Sequence, residues 1–173
     1  MPTHYVDVAL ALARLEHAKG APTPSVTTRS PDEGVPLDTQ RHARYRALVG
    51  GLMWLMGSRP DLCYPVKELA RAVSEPTTVD ELKMKRMLKY LLMTRTYAQK
   101  LEIEKDAAED KIDVVVDASW ANGAGRRSTS GGVIRLHGFP LTWWSKTQPT
   151  VAQSTCEAEL IAHNLGGTEG RFA

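Results

Sequence analysis

Apolar residues recur three or four positions apart through the first half of the chain, with polar residues between them. This spacing places the apolar side chains on one face of a helix. A proline at position 60 and a capping-box pattern at residues 78–81 match positions favoured at helix starts. The stripes predict four helices, over residues 5–19, 45–56, 59–75 and 78–93. Residues 21–39 contain four prolines and are predicted to form a loop or linker.

After Thr94 the helical spacing gives way to alternation, which is typical of half-buried strands. Ser154 or Thr155 is predicted to cap a last helix, which Gly166 and Gly167 weaken. The sequence therefore predicts an α+β fold, with an N-terminal helical segment followed by a partial mixed sheet and one helix. The predicted strands are residues 100–104, 112–117, 132–137 and 141–146.

Composition limits the protein class only loosely. The chain has 173 residues, of which 42% are hydrophobic, and its net charge of +2 is too small to identify a nucleic-acid-binding protein. Cys63 and Cys156 lack the spacing of a metal site or a disulfide framework. The N-terminus has no apolar signal core, and no apolar run is long enough to span a membrane. We expect an intracellular protein, cytoplasmic or nuclear rather than secreted, with no membrane partner.

Two acidic residues lie where a strand and a helix are predicted to meet. Asp117 ends the mostly apolar run 112–116, and Glu159 lies in the first turns of the last helix. Such a pair can hold a divalent metal ion, from which two-metal phosphodiester chemistry starts. Simpler explanations stay open, because Asp117 can cap the turn after its strand and the helix dipole favours an acid at Glu159 in any case. Glu157 points to a different helix face and is interpreted as solvated.

Basic residues form two groups along the sequence. Lys85, Arg86 and Lys89 follow the predicted fourth helix, where such a stripe can contact nucleic-acid phosphates. A solvated face opposite the apolar stripe explains the same pattern. The second group consists of Arg126, Arg127 and Lys146, which are expected to form another basic edge near Asp117 and are further candidate nucleic-acid-binding residues.

Seven motifs resemble, in order and in approximate spacing, the Pol polyprotein of copia-type retrotransposons. They include a Ser-Arg-Pro-Asp turn at 58–61, the strand end that carries Asp117, and a Glu-Ala-Glu run at 157–159. The resemblance runs in order through most of the chain. The matched segments are residues 45–55, 58–62, 85–91, 116–121, 126–132, 143–152 and 154–162.

The resemblance implies three segments along the chain. Residues 1–43 correspond to the end of the polymerase region with a linker, 44–97 to a helical connection, and 98–173 to a truncated RNase H-like domain. It also implies that Asp117 and Glu159 are catalytic and metal-binding, with Mg²⁺ or Mn²⁺ as cofactor in the intact parent domain only. The implied partners are an RNA·DNA hybrid or another nucleic acid, and the remainder of the polyprotein.

Family members carry two further catalytic aspartates downstream of the motifs matched here. We therefore expect this chain alone to have little or no RNA-cleaving activity. The alternative is a degraded, non-enzymatic remnant that at most binds nucleic acid through its basic helix. The run at residues 166–170 departs from the sequence that continues this helix in the family, so the sequence does not fix where the last helix ends.

Overall fold

The computed structural model describes residues 3–25, 34–100 and 112–172. The chain divides into two compact units, Met1–Gln99 and Lys100–Ala173. The described part of the first unit is helical, and that of the second combines a sheet with a long helix, so the predicted α+β class is confirmed. None of the described helices is long and apolar enough to cross a membrane.

In the described residues of the first unit, four α-helices pack around an apolar core. They are α1 (Thr3–Ala13), α2 (Thr39–Leu55), α3 (Cys63–Arg71), which a short 3-10 turn at Pro60–Leu62 precedes, and α4 (Thr78–Met93). The predicted stripes supply this core, because helical spacing directs their side chains to one face. Its fully buried members include Leu10, Leu52, Leu62, Val66, Met87 and Leu91.

The prediction that the first helix continues to Lys19 is wrong, because α1 ends at Ala13. Arg14 has a left-handed backbone with a φ of 56°. The amide of Leu15 then donates a hydrogen bond to the carbonyl of Leu10, a pattern that closes a helix C-terminus. The sequence gives no sign of this end, because glycine usually occupies such a position and the first glycine is residue 20.

Side-chain caps fix the starts of α2 and α4. The Asp38 carboxylate accepts a hydrogen bond of 2.9 Å from the amide of Arg41. The Thr77 hydroxyl accepts from the amide of Asp80, whose carboxylate accepts from the Thr77 amide at 3.0 Å. A capping box is therefore present, but it starts one residue earlier than the sequence suggested. The third helix also ends earlier than predicted, at Arg71 rather than near residue 75.

Two adjacent glycines in α2 have different surroundings. The hydroxyl of Tyr5 in α1 occupies the position where Gly51 would carry a Cβ, so the missing side chain allows α1 to approach α2 closely. At Gly50, apart from the adjacent residues and the neighbouring backbone of α2, no atom of the described residues lies within 4 Å of the corresponding position. Close packing of helices therefore explains Gly51, and it does not explain Gly50.

A buried arginine connects the segment before α3 to the end of α4. Arg59, which is 3% exposed, forms a double hydrogen-bonded ion pair with Asp61 at 2.8 and 2.6 Å. It also donates to the carbonyl and hydroxyl oxygens of Thr94 at 3.0 and 2.9 Å. Burial alone would raise the pKa of Asp61, but hydrogen bonds from Arg59 and Tyr90 outweigh burial and lower that pKa. The buried charge is tolerated because it is paired and hydrogen-bonded.

The described part of the second unit contains an antiparallel sheet in the order β1-β2-β3, with β1 at one edge. The strands are β1 (Ile112–Ser119), β2 (Thr129–Leu136) and β3 (Phe139–Thr147), and helix α5 (Thr155–Gly170) packs on β1 and β2. The strand predicted at residues 100–104 lies, apart from its first residue, outside the described residues.

Glycines permit two close contacts on the side of the sheet that α5 covers. A Cβ at Gly132 would lie 2.2 Å from Cζ2 of Trp144, so the indole ring covers the backbone of β2. A Cβ at Gly166 would lie 2.4 Å from Cγ1 of Val116, so α5 lies directly against β1. Gly166 therefore contributes to packing, and α5 continues past it to Gly170.

Candidate active site

The end of β1 and the first turns of α5 meet at the two predicted catalytic residues. The Glu159 carboxylate accepts a hydrogen bond of 3.2 Å from the backbone amide of Ala118, which directly follows Asp117. Because Val116 contacts α5, strand alternation directs the Asp117 side chain to the opposite face of the sheet. Glu159 therefore reaches the β1 backbone next to Asp117, while the Asp117 side chain projects from the other face of the sheet. This contact joins Glu159 to the backbone of the strand end and not to the Asp117 carboxylate.

A cap and a row of small residues hold α5 in this position. The Ser154 hydroxyl accepts a hydrogen bond of 3.1 Å from an amide in the first turn of the helix. Ala158, Ala162 and Gly166 are buried and lie on one helix face, since residues four apart are neighbours there. Their small size lets the helix lie close to the sheet, which allows the short Glu159 side chain to reach β1.

A buried glutamine, which was not predicted as a site residue, connects the elements around this contact. Gln148 is 2% exposed, and its Nε2 donates to the hydroxyl of Ser130 at 2.9 Å and to the carbonyl of Ala158 at 2.8 Å. Ser130 lies opposite Ala118 in the sheet register, and Ala158 precedes Glu159. Gln148 therefore fixes both partners of the Glu159 contact. The sequence signal is weak, because a Gln–Pro pair before a helix cap is typical of a solvated loop.

The side chains at this strand end suit a hard divalent cation but supply few ligands. Carboxylate oxygens are ligands that Mg²⁺ prefers, and Mg²⁺ usually keeps several bound waters. Among the described residues, the Ala118 amide engages one oxygen of Glu159 and leaves the other available. Over residues 3–25, 34–100 and 112–172, no group of three or more His, Cys, Asp or Glu side chains could hold a metal ion. The described residues therefore fit part of a metal site rather than a complete one.

The basic residues predicted along α4 are mostly engaged within the first unit. Lys85 forms an ion pair of 3.2 Å with Glu81. Arg86 donates a hydrogen bond of 2.7 Å to the hydroxyl of Thr23, and Lys89 is half-buried. The structure gives this stripe intramolecular contacts, and nucleic-acid binding through it stays a prediction.

The second basic group divides in the structure. Lys146 on β3 forms an ion pair of 2.6 Å with Glu169 on α5. Arg126 and Arg127 are exposed in the loop between β1 and β2, and neither has an acidic partner within the described segments. The guanidinium of Arg126 lies over the ring of Trp120, 6.0 Å from its centroid. Two arginine charges therefore remain available in the loop that follows Asp117.

Buried hydroxyl groups order this loop. The Ser128 hydroxyl accepts a hydrogen bond of 3.1 Å from the amide of Ala121. The Thr129 hydroxyl donates to the side-chain oxygen of Asn122 at 3.1 Å. Ser128 and Thr129 are both buried, and their hydrogen bonds join the start of the loop to its end. The Ser-Thr pair is therefore structural, and it sets the backbone that presents the loop arginines.

Comparison with known proteins finds relatives among retrotransposon polyproteins. The chain is 35% identical over 116 residues to the retrovirus-related Pol polyprotein from transposon RE2 of Arabidopsis thaliana, a match that covers 66% of this chain and 8% of that polyprotein. It is 34% identical to an uncharacterized mitochondrial protein of Arabidopsis thaliana, over 72% of this chain and 51% of that protein. The chain therefore spans only a part of these two relatives.

A shorter relative matches over most of its length. The chain is 40% identical over 124 residues to secreted RxLR effector protein 161 of Plasmopara viticola, covering 70% of this chain and 85% of that protein. No family model matches the chain. No solved structure matches it significantly. The chain matches one relative over most of that relative's length, and it also matches Pol polyproteins of retrotransposons. The chain therefore belongs to the family of retrotransposon Pol polyproteins and their shorter relatives.

Proposed function

We propose that the chain is the part of a copia-type retrotransposon Pol polyprotein that runs from the end of the reverse transcriptase region into an RNase H-like domain. In the intact polyprotein, this domain would cleave the RNA strand of RNA·DNA hybrids. The observation that supports the proposal most directly is the hydrogen bond of 3.2 Å from the Ala118 amide to Glu159, beside Asp117. It joins a strand end and a helix start at the two acidic residues that the resemblance marks as catalytic.

Asp117 and Glu159 would hold Mg²⁺ or Mn²⁺ in the parent domain, and the Ala118 amide would orient the Glu159 carboxylate for that role. A bound divalent ion supplies an activated water and stabilises developing charge on oxygen. Two carboxylates do not complete a two-metal site, because each hard ion requires several oxygen ligands. The chain alone is therefore expected to bind such ions weakly and to cleave hybrids little or not at all.

Metal binding by the chain tests the acidic pair directly. Titration with Mn²⁺, followed by electron paramagnetic resonance, should show weak binding to the wild type that Asp117→Asn and Glu159→Gln each abolish. Glu157→Gln is the matched control, since Glu157 lies on the same helix and is occupied with the Gln153 amide at 2.6 Å. Equal Mn²⁺ binding by all these proteins would remove the proposed metal role.

Hydrolysis of an RNA·DNA hybrid tests the expected inactivity. With Mg²⁺ or Mn²⁺ present, the chain should release no more product than the Asp117→Asn variant does. Strong cleavage that Asp117→Asn abolishes would contradict the inactivity while supporting the assignment of the acidic pair.

The second candidate is a non-enzymatic remnant that binds nucleic acid. The observation in its favour is the exposure of Arg126 and Arg127, which lack acidic partners in the described part of the chain. The sequence predicts that such a remnant binds nucleic acid through the basic residues of α4. The double variant Lys85→Ala/Lys89→Ala tests this prediction. Binding that weakens steeply with salt, and whose salt dependence those two substitutions reduce, would support it.

The remainder of a Pol polyprotein is the proposed protein partner, and the interior of the cell is the proposed location. The name of the Plasmopara viticola relative describes a secreted protein, so location requires its own test. Fractionation of cells that express a tagged chain should recover it in the cytoplasmic or nuclear fraction. Recovery from the medium would contradict this part of the proposal.

A further inference from the structure

We propose that Arg126, oriented by Trp120, is a binding site for a phosphodiester group of nucleic acid beside the acidic pair. The inference rests on the proposed function, and it names the residues through which that site would hold its substrate.

A hydrogen bond fixes the Nε1 group of Trp120, and part of the residue is exposed to solvent. Its Nε1 donates a hydrogen bond of 3.0 Å to the carbonyl of Ala152, in the segment that leads into α5. Ala152 is buried, so this anchor is firm, while 39% of Trp120 stays exposed. One indole therefore connects the end of β1 to the approach of the helix that carries Glu159.

The loop backbone delivers Arg126 to this ring. Arg126 has a φ of 58° and follows Gly125, which has a φ of 65°. The loop closes on itself, because the Gly123 amide donates to the carbonyl of Arg127 at 2.9 Å and the Arg126 amide donates back to Gly123 at 3.1 Å. A left-handed backbone is costly for a residue other than glycine, and such strain concentrates at functional positions. The strain here places a guanidinium over an aromatic face.

Arg126 differs from most of the basic side chains predicted to contact nucleic acid. Lys85 and Lys146 are each neutralised by an ion pair with a glutamate. Arg126 contacts an aromatic ring instead, within the described segments, and this contact removes none of its charge. A cation–π contact is not a hydrogen bond, so it leaves the N–H donors of the guanidinium free for a ligand. Arg127 is also unpaired, but no ring contact orients it among the described residues.

Phosphodiester is the ligand class that this geometry suits. A planar guanidinium donates two parallel hydrogen bonds to phosphate oxygens, and the contact with the Trp120 ring holds the Arg126 guanidinium in place before the ligand arrives. A polyanion that approaches Asp117 and Glu159 meets like charges, so a cation at the loop is needed to hold it there. Trp120, whose ring the Arg126 guanidinium covers, lies three residues beyond Asp117 along the chain.

Fluorescence anisotropy with a labelled RNA·DNA hybrid, measured over a range of salt concentrations, tests the assignment in the full chain. Arg126→Ala should weaken binding about tenfold at low salt and should reduce the slope of log affinity against log salt by about 0.9, the value for one lost phosphate contact. Arg127→Ala is the matched control and should have a smaller effect on affinity. Arg126→Lys should restore the slope and only part of the affinity, because lysine keeps the charge without the planar fork.

The role of Trp120 is tested in a double-mutant cycle. Trp120→Leu should weaken binding in the wild type and should have no further effect in Arg126→Ala, since the indole acts through the arginine. Trp120→Phe keeps an aromatic ring and should retain part of the hybrid binding that Trp120→Leu loses. This second variant keeps the test valid if Trp120→Leu fails to fold. Additive losses in the cycle would overturn the positioning role of Trp120.

Three results would overturn the phosphodiester site itself. They are an absence of hybrid binding at low salt, equal effects of Arg126→Ala and Arg127→Ala, and displacement of the hybrid by inorganic phosphate beyond the effect of chloride at equal ionic strength. The last result would assign the site to free phosphate. Mn²⁺ binding separates this inference from the proposed function, because Arg126→Ala should leave it unchanged. Hybrid binding that depends on Arg126, without Mn²⁺ binding, would support this site and remove the metal role.

Discussion

The side-chain amide of Gln148 lies 2.8 Å from the carbonyl oxygen of Ala158, to which it donates a hydrogen bond. Ala158 directly precedes Glu159, whose carboxylate accepts from the Ala118 amide. The same Gln148 amide donates to Ser130, which pairs with Ala118 across the sheet. One buried side chain therefore bonds both to the residue before Glu159 and to the sheet partner of Ala118.

Replacement of this glutamine should destabilise the second unit. Gln148→Met keeps a similar volume but leaves the Ser130 hydroxyl and the Ala158 carbonyl without their partner, so the free energy of unfolding should fall by about 2 kcal/mol. Gln153→Met is the control, because residue 153 is exposed and its substitution should change stability by less than about 0.5 kcal/mol. Urea unfolding followed by tryptophan fluorescence measures both, and equal midpoints would contradict the structural role of Gln148.

The contact between Glu159 and Ala118 should be visible by NMR. A hydrogen bond from a backbone amide to a carboxylate is shorter and stronger than one to a neutral acceptor, and it moves the amide proton signal downfield. Glu159→Gln replaces the carboxylate with a neutral side-chain amide, so the Ala118 amide proton should move upfield relative to the wild type. Glu157→Gln is the matched control and should leave the Ala118 signal in place. An Ala118 signal that Glu159→Gln does not move would show that the hydrogen bond is absent.

The sequence predicts much of the fold because its main signal, apolar periodicity, is local. The stripes of α2 and α4 and the strands predicted at residues 112–117 and 141–146 appear in the structure with shifted ends. The ends depend on backbone and capping details, such as the left-handed Arg14 that closes α1 and the Thr77 cap that starts α4. Strand β2 starts at Thr129, earlier than predicted, because its first hydroxyl residues are buried through hydrogen bonds that no local pattern reveals.

The candidate site shows the same division between local and tertiary information. Asp117 and Glu159 were suggested by their places at a strand end and a helix start, and the structure brings Glu159 to the backbone next to Asp117. Their catalytic and metal roles stay predictions. Gln148 and Trp120 were not suggested, because each depends on a carbonyl group, of Ala158 or of Ala152, that only the folded chain brings near.

Gly132 should be intolerant of even the smallest side chain. A Cβ at this position would lie 2.2 Å from Cζ2 of Trp144, so Gly132→Ala should displace the indole and lower the free energy of unfolding by about 2 kcal/mol. Gly131 provides the control, since the nearest atoms to its added Cβ are backbone oxygens at 3.9 and 4.0 Å. Gly131→Ala should be close to neutral. Thermal unfolding measures the stability of both variants. Equal melting temperatures would show that the Trp144 indole can be displaced without loss of stability.

The glycine pair in α2 should respond in opposite directions. Gly50→Ala adds a side chain in open space within a helix and should stabilise the first unit by about 1 kcal/mol. Gly51→Ala places a Cβ on the Tyr5 hydroxyl and should destabilise the unit, because α1 must move away. Circular dichroism during urea unfolding measures both changes. Stabilisation by Gly51→Ala would mean that α1 does not pack on α2 at this point.

Acid should weaken the first unit through Asp61. Its pKa is lowered in the folded protein, since the hydrogen bonds from Arg59 and Tyr90 outweigh the opposing effect of burial. A carboxyl group with a lowered folded pKa contributes stability that is fully present above its unfolded pKa of about 3.9 and is lost as pH falls through the folded value.

Asp61→Asn should cost about 3 kcal/mol at neutral pH, because it leaves Arg59 charged and only 3% exposed without its anion. The variant should also show a shallower loss of stability below about pH 4 than the wild type. The exposed residue Glu16 supplies the control, and Glu16→Gln should follow the wild-type curve. Parallel acid curves for Asp61→Asn and the wild type would show that this ion pair is not what acid breaks.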